Sequence, residues 1–179
     1  PLTGDAGANI LEGGAGTDIL AGGAGADTLS GGTGTDTADY AASDAAVIVD
    51  LGAGTASGGH AQGDVLTGIE RVIGSIFGDT LTGGAGVDTL EGGLGDDRLT
   101  GGAGAETLAG GGGSDTVDYA ASAVAVAVNL AAGTATGGDA DGDVLSGIEN
   151  IIGGSAGDTL TGDGANNRLE GRAGADTLT

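Results

Sequence analysis

Residues 13–39 read GGAGTDILAGGAGADTLSGGTGTDTAD, three nine-residue phrases in succession. Each opens on paired glycines and places a carboxylate at its sixth position and an apolar residue at its eighth. No single phrase holds enough apolar surface to bury a core, so the period demands an architecture in which units stack. Phrases begin at Gly4, Gly13, Gly22 and Gly31, at Gly74, Gly83, Gly92, Gly101 and Gly110, and at Gly153, Gly162 and Gly171. Their eighth positions are Leu11, Leu20, Leu29, Ala38, Leu81, Leu90, Leu99, Leu108, Val117, Leu160, Leu169 and Leu178. Leucine holds nearly all of them, which marks a fixed inward-facing position.

A second period of 79 residues overlays the first. LTGDAGANILEGGAG from Leu2 aligns with LTGGAGVDTLEGGLG from Leu81 and LTGDGANNRLEGRAG from Leu160. The reading divides the chain into nonapeptide blocks at 1–39, 74–118 and 153–179 and spacers at 40–73 and 119–152, joined in one continuous solenoid. The pattern is that of a portion of a longer array. In the spacers, Val47, Val49 and Leu51 alternate with polar or small residues, as do Val126, Val128 and Leu130, which predicts half-buried strands. A spacer of this length is close to two further coils of looser geometry.

Within a phrase, G-G-x-G-x-D favours a turn, because glycine adopts positive φ and permits close backbone approach. The last three residues suit a short strand with one side chain inward. Two turns and two strands close a coil of about 18 residues, with strands stacking at roughly 4.8 Å. The expected fold class is all-β, a parallel β-roll or β-helix solenoid.

Stacking also superimposes turns 18 residues apart and brings their sixth-position acids together: Asp18 with Asp36, Asp79 with Asp97, Asp97 with Asp115, Asp88 with Glu106, Asp158 with Asp176, and Asn9 with Asp27. Adjacent carboxylates resist joint ionisation unless a cation sits between them. The turns add glycine carbonyl oxygens from Gly13, Gly14, Gly22, Gly23, Gly31, Gly32, Gly83, Gly84, Gly92, Gly93, Gly101, Gly102, Gly110 and Gly111. Such hard oxygen sets suit Ca²⁺ better than Mg²⁺, which favours smaller octahedral sites with retained water. Zinc is poorly served by one His and no Cys. A net charge of −22 opposes compaction until something positive neutralises it. With 4 basic residues, nucleic acid is a poor partner. No apolar stretch approaches a membrane span, so no membrane insertion is expected.

GGAGTDILA, GGAGADTLS and GGLGDDRLT resemble the RTX (repeats-in-toxin) nonapeptide G-G-x-G-x-D-x-U-x, a Ca²⁺-binding parallel β-helix repeat. The resemblance implies a β-roll with several Ca²⁺ ions between its turns, type I secretion and folding outside the cell. Departures weaken particular sites. Asn9 and Asn167 replace the acid with a neutral oxygen, and Glu106 lengthens it. Asp5, Asp163 and Arg172 replace the second glycine, the last setting a cation beside a site. Asp64 and Asp143 lie in turn-like segments and are further candidate ligands, whereas Glu70 and Glu149 read as ordinary exposed or loop-bonding acids.

No catalytic constellation is visible. His60 has Asp139 as its counterpart and reads as a surface residue, Ser75 and Ser122 have no base, and Tyr40 and Tyr119 read as caps of the roll. The absence of a uniform Thr row argues against ice binding. The leading functional reading is a calcium-binding structural segment of a secreted bacterial protein such as an adhesin, surface-layer or filament component, with end-to-end or lateral self-association open. The alternative is the secretion and folding domain of a type I-exported enzyme or toxin. The reading assigns no enzymatic activity to the segment itself.

Overall fold

A computed structural model describes all residues, 1–179. The chain is nearly all β, with two sheets facing each other across a thin core and two short 3-10 turns, Gly59–Ala61 and Gly138–Ala140. Successive nonapeptide strands alternate between the sheets, and within a block each pairs in parallel with the strand 18 residues on. Leu11 lies beside Leu29 and Leu81 beside Leu99 in one sheet; Leu90 lies beside Leu108 in the other. The predicted β-roll is therefore the fold, and its register follows the 18-residue coil.

The core is a single file of inward side chains. Leu20, Leu29, Leu81, Leu90, Leu99, Leu108 and Leu160 are fully buried, as are Ala38 and Val117, and one hydrophobic cluster runs through all three blocks and both spacers. Such a file works because each residue borrows its burial from the rungs above and below. Leu178 is exposed, since its strand is the edge of its sheet and has one neighbour.

The spacers add a feature absent from the picture of two looser coils. Ile48–Asp50, Thr55–Ser57 and Val65–Thr67 form an antiparallel meander inside one sheet before the chain crosses to Arg71–Ile73 in the other. Ala127–Asn129, Thr134–Thr136 and Val144–Ser146 repeat it. Gly54 and Gly133, both at positive φ, turn the chain back on itself. Val47, Val49, Val126 and Val128 point into the core as their alternation predicts. Each 79-residue unit crosses between the sheets an odd number of times, so the first meander lies in the ten-stranded sheet and the second in the eleven-stranded one.

Candidate metal centre

The turns line the two long edges of the roll, where the sheets meet. Along each edge the sixth-position carboxylates form a ladder with the backbone. Asp36 Oδ1 accepts the Asp18 N–H at 2.8 Å, Asp97 Oδ1 the Asp79 N–H at 2.7 Å, Asp115 Oδ1 the Asp97 N–H at 2.8 Å, Asp176 Oδ1 the Asp158 N–H at 2.9 Å, and Asp27 Oδ1 the Asn9 N–H at 2.8 Å. Five of the six predicted pairs are thus brought together through one oxygen. The sixth pair, Asp88 with Glu106, has no such bond; its extra methylene sets Glu106 in a different position, and both carboxylate oxygens are buried without a partner.

The second oxygen of each acid divides the turns into two kinds. In the first two phrases after a spacer it is taken up inside the turn. Ser75 N–H and Gly154 N–H donate to Oδ2 of Asp79 and Asp158 at 2.5 and 2.7 Å, and Gly84 N–H donates to Asp88 Oδ2 at 2.6 Å. Asn9 and Asn167 accept the Asp5 and Asp163 N–H groups in the same way, each at 2.8 Å. In the next three phrases of a block the second residue sits at positive φ: Gly14, Gly23, Gly32, Gly93, Gly102, Gly111 and, in the last turn, Arg172 at 65°. These open turns turn the second N–H away from the acid. Asp27, Asp36, Asp97 and Asp115 each keep a buried Oδ2 with no hydrogen-bond partner. The Asp5 and Asp163 substitutions therefore fall in closed turns, where a side chain is sterically allowed. Arg172 alone occupies an open-turn glycine position, and its guanidinium donates to the Ala120 carbonyl at 3.1 Å, away from Asp176.

The first glycine of each phrase shapes the space beside the free oxygen. A methyl group added at Gly13 would stand 2.6 Å from the Gly31 carbonyl oxygen and 2.9 Å from Asp18 Oδ2; one at Gly92 would stand 2.7 Å from the Gly110 carbonyl oxygen and collide with Asp97 Oδ2. Carboxylate and carbonyl oxygens from two stacked turns converge where glycine leaves room. No three His, Asp or Glu side chains converge anywhere, so a cation held here draws the remainder of its oxygens from the backbone. Orphaned buried carboxylate oxygens beside carbonyls are a hard-oxygen donor set of the kind Ca²⁺ takes, and the residues fit that ion.

Burial without a counter-charge shows in the titration of these groups. Burial pushes Asp97 up to about 6, against the opposing effect of the Asp79 N–H bond. Burial raises Glu106 to about 8, reinforced by the nearby Asp143 charge. Asp115 and Asp64 are raised for the same first reason.

Asp64 and Asp143 occupy sixth-position places, their Oδ1 atoms accepting the Asp27 and Glu106 N–H groups at 2.8 and 2.9 Å. Their second oxygens are occupied: Tyr40 and Tyr119 donate O–H bonds to Asp64 Oδ2 and Asp143 Oδ2 at 3.0 and 2.8 Å. Neither acid offers a free oxygen. The tyrosines are buried inside the roll and do not cap it; the signal for this role was their fixed 24-residue distance from an acid in both spacers. His60 is partly exposed, with Nε2 4.0 Å from Asp44. Ser75 Oγ donates to Asp79 Oδ1 at 2.9 Å and Ser122 Oγ to the Val124 carbonyl at 2.9 Å.

A family model of the RTX calcium-binding nonapeptide repeat matches residues 3–38, 64–99, 82–117 and 143–178, well over half of the chain. The chain belongs to the RTX calcium-binding nonapeptide repeat family. Comparison with curated proteins finds no match. RTX repeats are structural calcium-binding repeats, and they occur in type I-secreted extracellular proteins. No helix of this RTX chain is long and apolar enough to cross a membrane.

Proposed function

We propose that this segment is a structural rod that folds when Ca²⁺ enters its turns outside the cell. The ions are held by the sixth-position side chains of stacked turns together with first- and second-position glycine carbonyls. The observation that carries the reading is the set of buried, unpartnered oxygens on Asp27, Asp36, Asp97, Glu106 and Asp115. A buried polar group left unsatisfied costs about 1–3 kcal/mol, and more when charged. Repeated along the roll, that cost rivals the roughly 5–15 kcal/mol that stabilises a whole domain. Calcium removes it and offsets the −22 net charge.

Open turns are the better sites, because an ion at a closed turn must displace the N–H already bonded to the acid. The pairs 18/36 and 97/115 join two open turns each; 9/27, 79/97, 88/106 and 158/176 join a closed turn to an open one. Tandem 79-residue units around an uninterrupted core suit a load-bearing role, as in an adhesin, a surface layer or a filament.

Circular dichroism of the chain in EGTA and then in millimolar Ca²⁺ tests the folding step. A disordered spectrum in EGTA and a β spectrum after Ca²⁺ are expected; a strong β signal in EGTA would sink the proposal. Electron microscopy in Ca²⁺ separates isolated short rods from filaments.

A further inference from the structure

The spacer turns TGIE and SGIE carry no nonapeptide motif, yet the register shows them to be shortened versions of it. In the block, Leu29 to Ala38 is nine residues. One rung on, Leu29 pairs with Leu66 and Ala38 with Val72, a separation of six. Counting from either end, Gly68 takes the place of a first glycine and Glu70 the place of a sixth-position acid, with the three residues between them deleted. Gly147 and Glu149 stand in the same relation to the turn Gly110–Asp115.

The contacts follow the alignment. Glu70 Oε2 accepts the Asp36 N–H at 2.9 Å and Glu149 Oε2 the Asp115 N–H at 2.8 Å, the same bond that joins consecutive nonapeptide turns. A methyl group added at Gly31 would collide with the Gly68 carbonyl oxygen and stand 2.7 Å from Asp36 Oδ2. At Gly110 it would collide with the Gly147 carbonyl oxygen and stand 2.6 Å from Asp115 Oδ2. Those two oxygens, Asp36 Oδ2 and Asp115 Oδ2, are buried and unpartnered, and both parent residues are 0 % exposed. Each is aimed into the space between its own turn and the spacer turn. The longer arm of glutamate spans the gap that a three-residue deletion opens, and its Oε1 is the oxygen left for a cation.

We propose that Gly68–Glu70 and Gly147–Glu149 complete two divalent-cation sites with Asp36 and Asp115, taking Ca²⁺ through carboxylate and carbonyl oxygens. Each block then hands its ion ladder across into the spacer, and the spacer is part of the calcium-dependent fold. Glu70 and Glu149 are ligands in this reading, not ordinary surface acids. The inference rests on the nonapeptide turns binding Ca²⁺.

The test counts ions. Native mass spectrometry and calorimetric titration with Ca²⁺ are run on the full chain and on the double variant Glu70→Gln, Glu149→Gln. Glutamine keeps an oxygen to accept the Asp36 and Asp115 N–H groups while removing the charge. The expected result is two fewer ions at a Ca²⁺ level that saturates the parent chain, or two sites weakened at least tenfold, with the β spectrum retained. An unchanged count with unchanged affinities overturns the inference. If the Gln pair does not reach the parent spectrum, the pair Glu70→Asp, Glu149→Asp decides, because it keeps the charge and shortens the arm. Loss of the same two ions supports the inference, and an unchanged titration overturns it. Failure of the underlying reading looks different: the parent chain itself then binds no Ca²⁺.

Discussion

Asp97 donates its backbone N–H to Asp115 Oδ1 at 2.8 Å and accepts the Asp79 N–H on its own Oδ1 at 2.7 Å. It is the middle rung of an edge whose neighbours on both sides are also buried acids. Asp176, by contrast, accepts one N–H from Asp158 and is partly exposed on the last rung. Asp97→Ala removes the acceptor for a buried N–H, a bond to a charged group worth about 1.5–3 kcal/mol, and a candidate ligand of two sites. Asp176→Ala touches one. Calcium titrations followed by circular dichroism should show a larger rise in the folding midpoint for Asp97→Ala; coincident curves for the two variants would contradict the shared-rung geometry.

Tyr40 is a sharper probe, because its hydroxyl satisfies Asp64 Oδ2 at 3.0 Å in the interior. Burial and the adjacent Asp64 charge push the phenol far above its usual range, so the hydroxyl stays protonated and remains a donor. Tyr40→Phe leaves a buried carboxylate oxygen unpaired at a cost of about 1–3 kcal/mol. Urea unfolding in saturating Ca²⁺ should show that loss, with Tyr119→Phe matching it through Asp143. A midpoint unmoved in both variants would mean that water reaches these acids.

The acids also set how the chain answers pH. A carboxyl whose folded pKa lies above its ordinary value weakens the fold at high pH, and the penalty fades as pH falls from the folded value towards the ordinary one. For Glu106 that window runs from about 8 down to 4.5, and for Asp97 from about 6 down to 3.8. The calcium-free chain should therefore gain β structure on acidification from pH 8.5 to 5. Protons and Ca²⁺ relieve the same buried charge, so less Ca²⁺ is needed to fold the chain at lower pH and its folding midpoint should fall over that interval. Circular dichroism titrations at several pH values measure both, and a Ca²⁺ midpoint independent of pH would exclude this proton–calcium exchange.

The periodicity was enough to place the coil, the inward leucines and the facing acids, because a strict repeat leaves one register in which every eighth position is buried. Asp64, Glu70 and the meander were harder to read. A three-residue deletion hides Glu70 from a nine-residue ruler, although its structural phase is kept. Reversal at Gly54 leaves the alternation of Val47 and Val49 unchanged, since a parallel and an antiparallel strand bury the same face. The division of turns into open and closed depends on where one N–H points, and glycine at the second position is compatible with either. Gly84 is closed and Gly102 open with the same GGAG opening.

That last contrast can be measured directly. Gly14 has φ of 95° with nothing within 4 Å of an added methyl group, so alanine there meets no clash and only the backbone penalty. A non-glycine residue in the left-handed region costs roughly 1–2 kcal/mol. Gly84 has no positive φ, and the nearest atom to an added methyl group is Asp88 Oδ2 at 3.5 Å, an ordinary contact. Gly84→Ala should stay within about 0.5 kcal/mol of the parent chain, or stabilise it by restricting the unfolded state. Urea midpoints of the two variants in saturating Ca²⁺ should differ accordingly, Gly14→Ala being the weaker. Equal midpoints would show that the closed turns open when calcium binds, which would place an ion at all the nonapeptide turns alike.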